Sequence, residues 1–492
     1  MAIRSTPVHH VNRLRTVLSL GGIAEPDRMT FGLLVFALFA VAGSHILYAI
    51  GTPSLWIDEA VSWQSASGSW EQLYQAARFG QDCGGIVYSA FLKVWIHVFG
   101  ASEVSLRLPS AFMALIFIGL MVRIGQILWG RRAALYVGLV ACFNTQTLIY
   151  AREARAYSFL LVFTALAFLG IATYWKGNRR LGVGLLWFSC PLIVLTHVFG
   201  FFVVAGLAVS QALVWFRSVG PDRKWRNGIC ALSPMLVGLL VSLAWSSLMQ
   251  SRIELIMESF WTTDAAIGSL FSNYRVVLNE WCILIVGATC LAWAEPNGER
   301  RIQAVAIVAV ALCVTAGPGV VSLMSQGQHH FIFSRYLLPI VPCAALAGGF
   351  ALSRLGWVPG VAAALFVLWV PLVSPPPHLY GPGAHYGHDI RSASQFLLKQ
   401  AKPADDVALV PAWNDLTFRY YGFAVPKVVK GERSPFDAWV AGQQTKRLWI
   451  VDFGRALARG PHAKRLSACK KQRLYGFDFF LCTREPTSGD KM

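Results

Sequence analysis

The chain has 492 residues, 55% hydrophobic and 14% charged, with a formal net charge of +18 and a mean hydropathy of +0.51. A soluble domain carries about 25% charged residues, so this composition excludes an ordinary soluble globule, which it could not clothe in polar surface. The charge would suit a nucleic-acid partner, but its distribution excludes one. From residue 1 to about 374 the basic residues cluster in short connections between apolar runs: Arg131-Arg132, Lys176 with Arg179-Arg180, Arg217 through Arg226, and Arg300-Arg301. That is the positive-inside pattern that orients helices in a bilayer.

In chain order, Arg4, Arg13, Arg15 and Arg28 precede the apolar run 31–50. About 20 residues at ~1.5 Å each cross a hydrocarbon core of roughly 30 Å, whereas a signal peptide has a shorter apolar region. The run predicts a retained first span with a cytoplasmic N-terminus. Further spans are predicted near 104–128, 134–150, 156–174, 181–196, 198–216, 228–249, 281–295, 302–323, 335–352 and 356–374, about eleven in all. The run 181–216 is too long for one span, and Thr196-His197 marks the turn between two.

Alternation from a cytoplasmic N-terminus puts the Arg/Lys clusters inside. It puts Asp58-Glu59, residues 152–155, Thr196-His197, 250–280, His329-His330 and the C-terminal tail outside. Within the long outer loop 51–103, Ile86–Phe99 carries Lys93, Trp95 and His97 and reads as an interfacial helix. The second outer loop carries Glu254, Glu258, Asp264 and Arg275.

The run Ser374-Pro375-Pro376-Pro377 ends the membrane part. Beyond it, 389–402 reads as an amphipathic helix and 407–410, 448–451 and 477–482 as buried strands, predicting a small α/β domain. The division is therefore 1–30 as a cytoplasmic segment, 31–374 as the transmembrane domain and 375–492 as an extracytoplasmic soluble domain. Of the ten cysteines, most sit in apolar runs as small packing residues, and no Cys/His set has zinc spacing. Cys469 and Cys482 lie in the tail, where an oxidising compartment would permit a disulfide.

Three groups of residues call for chemistry. Asp58 and Glu59 stand beside a membrane boundary, where desolvation is costly. Helix-capping carboxylates are the plain reading, and a general base tuned by a low-dielectric boundary is the functional one. Adjacent helical residues point about 100° apart, so one of the two, Asp58, is favoured to face a substrate. In Tyr150-Ala151-Arg152-Glu153-Ala154-Arg155-Ala156-Tyr157, a helix would put Arg152 with Arg155 on one face and Glu153 with Tyr157 on another. Paired guanidiniums suit an anionic lipid headgroup, against the plain reading of snorkelling to ordinary phospholipid. Arg335, followed by Tyr336, enters a later span from the same side and is another candidate for a phosphate. His197 reads as a polar helix end, His329-His330 as a weak metal signal, and Arg107 as a partner for nearby Glu103.

These motifs in this order resemble the polyprenyl-phosphate-dependent glycosyltransferases of the GT-C membrane class, nearest to the protein O-mannosyltransferases and the lipid A aminoarabinose transferases. The resemblance covers roughly residues 30 to 350. It rests on Trp56-Ile57-Asp58-Glu59, Phe99-Gly100-Ala101-Ser102-Glu103, Arg107-Leu108-Pro109-Ser110, Arg152-Glu153-Ala154-Arg155-Ala156-Tyr157, Thr196-His197 and Arg335-Tyr336-Leu337-Leu338-Pro339. It implies an α-helical polytopic GT-C fold with a small C-terminal α/β extracytoplasmic domain. It also implies an inverting glycosyltransferase of the cell (inner) membrane, moving a sugar from a polyprenyl-phosphate donor to an acceptor hydroxyl or phosphate at its outer face. The catalytic carboxylate falls on Asp58, with Glu59 adjacent, and the donor phosphate on Arg155 and Arg335, then Arg152. Glu153, Tyr157, His197 and Tyr336 are further site candidates. The partners implied are a polyprenyl-phosphate-linked sugar donor, a lipid, glycan or protein acceptor, and membrane lipids, with no nucleic acid. No cofactor or metal site is called for, and a divalent metal is left open.

One departure bears on the acceptor: where related chains have a His/Pro-rich stretch, this one has Asp82-Cys83-Gly84-Gly85-Ile86-Val87-Tyr88. The tail, with 18 Lys/Arg against 10 Asp/Glu beyond residue 374, suits an anionic acceptor or the membrane surface. The rival classes are a transporter or flippase for a lipid-linked sugar and a membrane scaffold. A transporter would place charges at mid-bilayer. Here they sit at span ends, Arg123 being the chief exception.

Overall fold

The computed structural model describes residues 25–79, 85–217, 225–250, 254, 298–324, 331–333, 335–354, 388–410, 415–423, 447–453, 466–467 and 469–483. The predicted spans 281–295 and 356–374, residues 255–280 and His329-His330 lie outside the described residues. The helices in chain order are α1 Arg28–Leu47, α2 Ile57–Ser67, α3 Trp70–Phe79, α4 Ile86–Phe99 and α5 Glu103–Trp129. They continue with α6 Arg131–Phe143, α7 Thr145–Ala151, α8 Tyr157–Trp175, α9 Arg179–Thr196 and α10 Gly200–Arg217. After these come α11 Trp225–Leu248, α12 Gly298–Met324, α13 Ile340–Arg354, α14 Ile390–Gln400 and α15 Asp415–Tyr420. The strands are β1 Asp406–Val410, β2 Arg447–Asp452, β3 Lys470–Leu474 and β4 Phe477–Thr483. The chain divides into two compact units, the first Met1–Leu47, Ser65–Phe99 and Arg107–Pro375, the second Tyr48–Gln64, Gly100–Leu106 and Pro376–Met492.

The helices α1, α5, α8, α9 and most of α11 and α12 are long and apolar enough to cross a membrane, six among the described residues, and all lie in the first unit except Glu103–Leu106 of α5. Leu33, Phe36, Leu240 and Leu312 point outward and exposed, an arrangement that lipid accepts and water does not. The protein is an integral membrane protein of the polytopic helical kind. Two predicted spans are reshaped. The run 134–150 is bent by 59° between α6 and α7, because the Asn144 carboxamide Oδ1 accepts the Thr147 N–H at 3.1 Å and starts a new helix. The run 335–352 begins as a helix at Ile340 rather than Arg335. Pro339 disfavours helical geometry in the residue before it, and 335–339 form turns.

Membrane helices associate through close backbone approach at small residues. The α8–α9 pair uses Gly170 and Gly182: a Cβ at Gly182 would stand 2.6 Å from the Gly170 carbonyl oxygen and 2.8 Å from the Tyr174 nitrogen. Neither atom is a side-chain end that could swing away.

The second unit holds a four-stranded sheet of order β1-β2-β4-β3, with β1 parallel to β2 and the other pairs antiparallel. One face buries Val407, Leu409, Trp449, Val451, Phe477 and Phe479 against Ile390, Ala393 and Leu397 of α14 and Phe418 of α15. The other buries Ala408, Leu448, Ile450, Phe480 and Cys482 with Leu466. The helix starts where Asp389 caps it, Oδ1 accepting the Ser392 N–H at 3.1 Å. Cys469 and Cys482 are joined in a disulfide, which ties β4 to the residue before β3.

Candidate functional site

The acidic motif belongs to the second unit and opens α2, with both carboxylates in the first helical turn. That position favours negative charge, because the unpaired N–H groups of a helix start point outward there. The two side chains then part company. Glu59 is buried, and its Oε2 reaches back to the Trp56 N–H at 3.5 Å, the direction in which a capping glutamate returns to the residue before its helix. Asp58 is half-buried, and its main-chain carbonyl accepts the Ser62 hydroxyl at 3.1 Å. The helix thus uses Glu59 for its own start and leaves Asp58 on a different face.

The first unit gathers the other candidates. The segment Arg152–Ala156 is a turn between α7 and α8 rather than a helix, so the faces expected from helical spacing do not form. The turn is pinned: Arg155 N–H donates to the Glu153 carbonyl at 2.8 Å, and the Ser110 and Ser158 hydroxyls donate to the Arg155 and Tyr150 carbonyls at 3.1 and 3.0 Å. Arg152 turns its Nη1 onto the His45 and Ile46 carbonyls at 3.1 and 2.8 Å, which satisfies the end of α1. Glu153 is buried in the same turn.

Arg155 points elsewhere, its guanidinium carbon 5.7 Å from the centre of the Tyr157 ring. Tyr157 lies 5.7 Å from the His197 ring, and His197 lies 5.7 Å from Tyr336. Arg335 closes the series, 5.4 Å from the Tyr336 centroid and 5.2 Å from that of Phe333. Two guanidiniums within cation–π reach therefore bracket a run of aromatic rings. His197 ends α9, and its Nδ1 accepts the Phe199 N–H at 3.2 Å. Neutral His197 accordingly carries its proton on Nε2. Phe199 stacks on Tyr336 at 4.7 Å and, with Phe331, forms the buried apolar floor. Neither Phe199 nor Phe333 stood out in the sequence, where each is one aromatic in an apolar run. The same turn holds the start of α4: Gly85 N–H donates to the Thr196 carbonyl at 2.7 Å. A Cβ at Gly85 would stand 1.8 Å from the Leu195 carbonyl oxygen, so no other residue fits without moving backbone.

Glu103 does not pair as the sequence suggested. Its Oε1 faces Arg391 of α14 at 2.7 Å, within the second unit. Among the described residues no three His, Cys, Asp or Glu side chains are grouped as metal ligands would be.

The described residues form a polytopic helical membrane protein with a four-stranded sheet in its second unit, and the comparisons with solved structures give it the GT-C fold that the sequence resemblance implied. No family model matches the chain, and no curated protein matches it by sequence. Solved structures do: the structure is similar to ArnT from Cupriavidus metallidurans in the apo state, with a TM-score of 0.57 at 15% identity, covering 92% of this chain and 98% of that one. The same protein bound to undecaprenyl phosphate matches with a TM-score of 0.56, 15% identity and coverage of 92% and 97%. The apo Archaeoglobus fulgidus oligosaccharyltransferase matches with a TM-score of 0.51 at 10% identity, covering 86% of this chain and 70% of that one.

Proposed function

We propose that this protein is an inverting glycosyltransferase that moves a sugar from a polyprenyl-phosphate donor to an acceptor hydroxyl. The observation that carries the reading is the bracket of Arg155 and Arg335 around Tyr157, His197 and Tyr336, in a fold shared with a protein solved with undecaprenyl phosphate. Fixed guanidiniums at the edge of an apolar helix bundle are what a lipid-borne phosphate needs. Arg152, whose Nη1 donates to the His45 and Ile46 carbonyls, lies outside that bracket and is the third phosphate candidate. Tyr157, His197 and Tyr336 hold the two cations apart, and Glu153 fixes the turn that carries one of them.

In the reaction Asp58 takes the proton of the acceptor hydroxyl as that oxygen attacks the anomeric carbon. The bond from that carbon to the phosphate oxygen breaks, and the lipid phosphate leaves with the electron pair. Its growing charge is met by guanidiniums already in place. A single displacement inverts the anomeric centre and needs no second carboxylate as nucleophile, unlike a retaining enzyme. A donor that travels in the bilayer puts this chemistry at the outer face of the cell (inner) membrane. In this reading residues 31–374 form the catalytic domain and 375–492 the extracytoplasmic domain.

The test is equilibrium binding of undecaprenyl phosphate to the full chain in lipid nanodiscs. Each charged hydrogen bond is worth about 1.5–3 kcal/mol, so Arg155→Ala and Arg335→Ala should each weaken binding roughly 10- to 100-fold. Unchanged affinity in both variants would remove the phosphate from this cluster.

A further inference from the structure

The second unit contains an open cleft of about 580 Å³ lined by Gly51, Trp63, Ala101, Glu103, Arg391, Gln395, Tyr420 and Tyr421. Its size lies within the roughly 300–1,000 Å³ of small-molecule sites. We propose that this cleft binds a saccharide, a site beyond the one the glycosyltransferase reading describes.

The lining is a pair of perpendicular aromatic rings with a charged rim. Trp63 of α2 meets Tyr420 edge to face at 5.1 Å and 83°. The Tyr420 hydroxyl donates to the Ala101 carbonyl at 2.7 Å and fixes that ring. On the rim, Arg391 Nε donates to Glu103 Oε1 at 2.9 Å, and Nη2, which donates to the Gly51 carbonyl, lies 2.7 Å from the same carboxylate oxygen. Glu103 Oε2 takes no part in those bonds. Gln395 stands one turn on from Arg391 and is exposed, so its amide adds donors and an acceptor to the same rim.

A sugar ring presents one face of C–H bonds, weakly positive, and an equator of hydroxyls. The face matches the negative face of an aromatic ring, and the hydroxyls need acceptors and donors in alternation, as a carboxylate, a guanidinium and an amide supply. An extended peptide would instead seek a free strand edge to pair with. No strand residue lines the cleft; its residues come from α2, α5, α14, α15 and the turns beside them that carry Gly51, Ala101 and Tyr421. The chemistry favours carbohydrate over peptide.

The experiment uses the full chain in lipid nanodiscs, immobilised and incubated without donor. The probe is the soluble glycan pool released by mild acid from the envelope of cells that make the protein, with their envelope peptides as a second pool. Retained material is identified by mass spectrometry. The proposal expects glycans to be retained, and retention to fall at least roughly tenfold in Trp63→Ala, which removes the indole ring. Gln395→Trp, at an exposed position, should do the same by filling the cleft, and it carries the test should Trp63→Ala fold poorly. Undecaprenyl phosphate affinity should stay at the wild-type value in both. Equal glycan retention by wild type and Gln395→Trp would overturn the proposal, as would no retention by wild type or retention of peptides in place of glycans. Glycan retention without any binding of undecaprenyl phosphate would instead count against the donor reading and leave the saccharide site standing.

Discussion

Arg391 Nη2 lies 2.7 Å from Glu103 Oε1 and donates to the Gly51 carbonyl at 2.9 Å, joining the tail sequence to the two short segments that complete the second unit. The side chains remain 32% and 20% exposed, so screening by water limits the gain. Arg391→Ala should destabilise that unit by about 1 kcal/mol, with the Gly51 carbonyl losing its donor as well. A double-mutant cycle with Glu103→Gln in chemical denaturation measures the pair alone. A coupling of zero would leave Arg391 acting through Gly51 only.

The same region sets a pH window. Burial pushes the Tyr421 hydroxyl well above its ordinary value of 10.0, so the folded state keeps a proton that the unfolded chain releases. Stability from this residue is therefore present below about pH 10 and falls as pH rises past it. Burial works most strongly against the Arg391 charge, but the Glu103 carboxylate and the Tyr421 hydroxyl together outweigh it, holding that guanidinium above its usual range. Burial lowers His388 from 6.5, against an opposing bond to the Gly476 backbone that raises it; its contribution is present above that value and fades as pH falls through it. Melting temperature against pH should show a plateau between about 6.5 and 10, with the alkaline fall reduced in Tyr421→Phe.

The α8–α9 contact predicts a backbone clash. A methyl group at Gly182 meets the Gly170 carbonyl and the Tyr174 nitrogen inside 3 Å. Gly182→Ala should cost about 1–3 kcal/mol through forced separation of the helices, seen as a lower melting temperature in detergent. Gly184→Ala, in the same helix with open space around it, is the control and should change little.

His197 offers a test of the aromatic run. His197→Phe keeps a ring between Tyr157 and Tyr336 but removes the acceptor of the buried Phe199 N–H. An unsatisfied buried donor costs about 1–3 kcal/mol. His197→Asn, whose Oδ1 can take the place of Nδ1, should recover most of that loss. Equal melting temperatures for the Phe and Asn variants would rule out this role.

The parts of the molecule that rest on hydrophobic pattern were legible in the sequence. Ile86–Phe99 forms as a helix with those bounds, Thr196-His197 is a break, and α14, β1, β2 and β4 lie where their apolar residues predict. What the pattern carried poorly was polar or local. β3, reading KKQRL, has no buried face to announce it; its pairing to β4 creates it. The break at Asn144 depends on one side-chain cap, and the turn at 152–156 has a composition that a helix could equally use. In the site, the motif arginines were visible as charges out of place. The Phe199 and Phe333 rings, and the Glu103–Arg391 pair across 288 residues, depend on tertiary contact and leave no local trace.

The account turns on Asp58 as the proton acceptor, with Glu59 capping α2. The direct measurement compares glycosylated products and lipid-linked sugars by mass spectrometry in cells making wild type, Asp58→Asn or no protein, at matched membrane levels of the two chains. The account predicts that the Asn variant matches the cells without protein, losing the product and accumulating the unspent lipid-linked sugar. Product at the wild-type level in Asp58→Asn would contradict it.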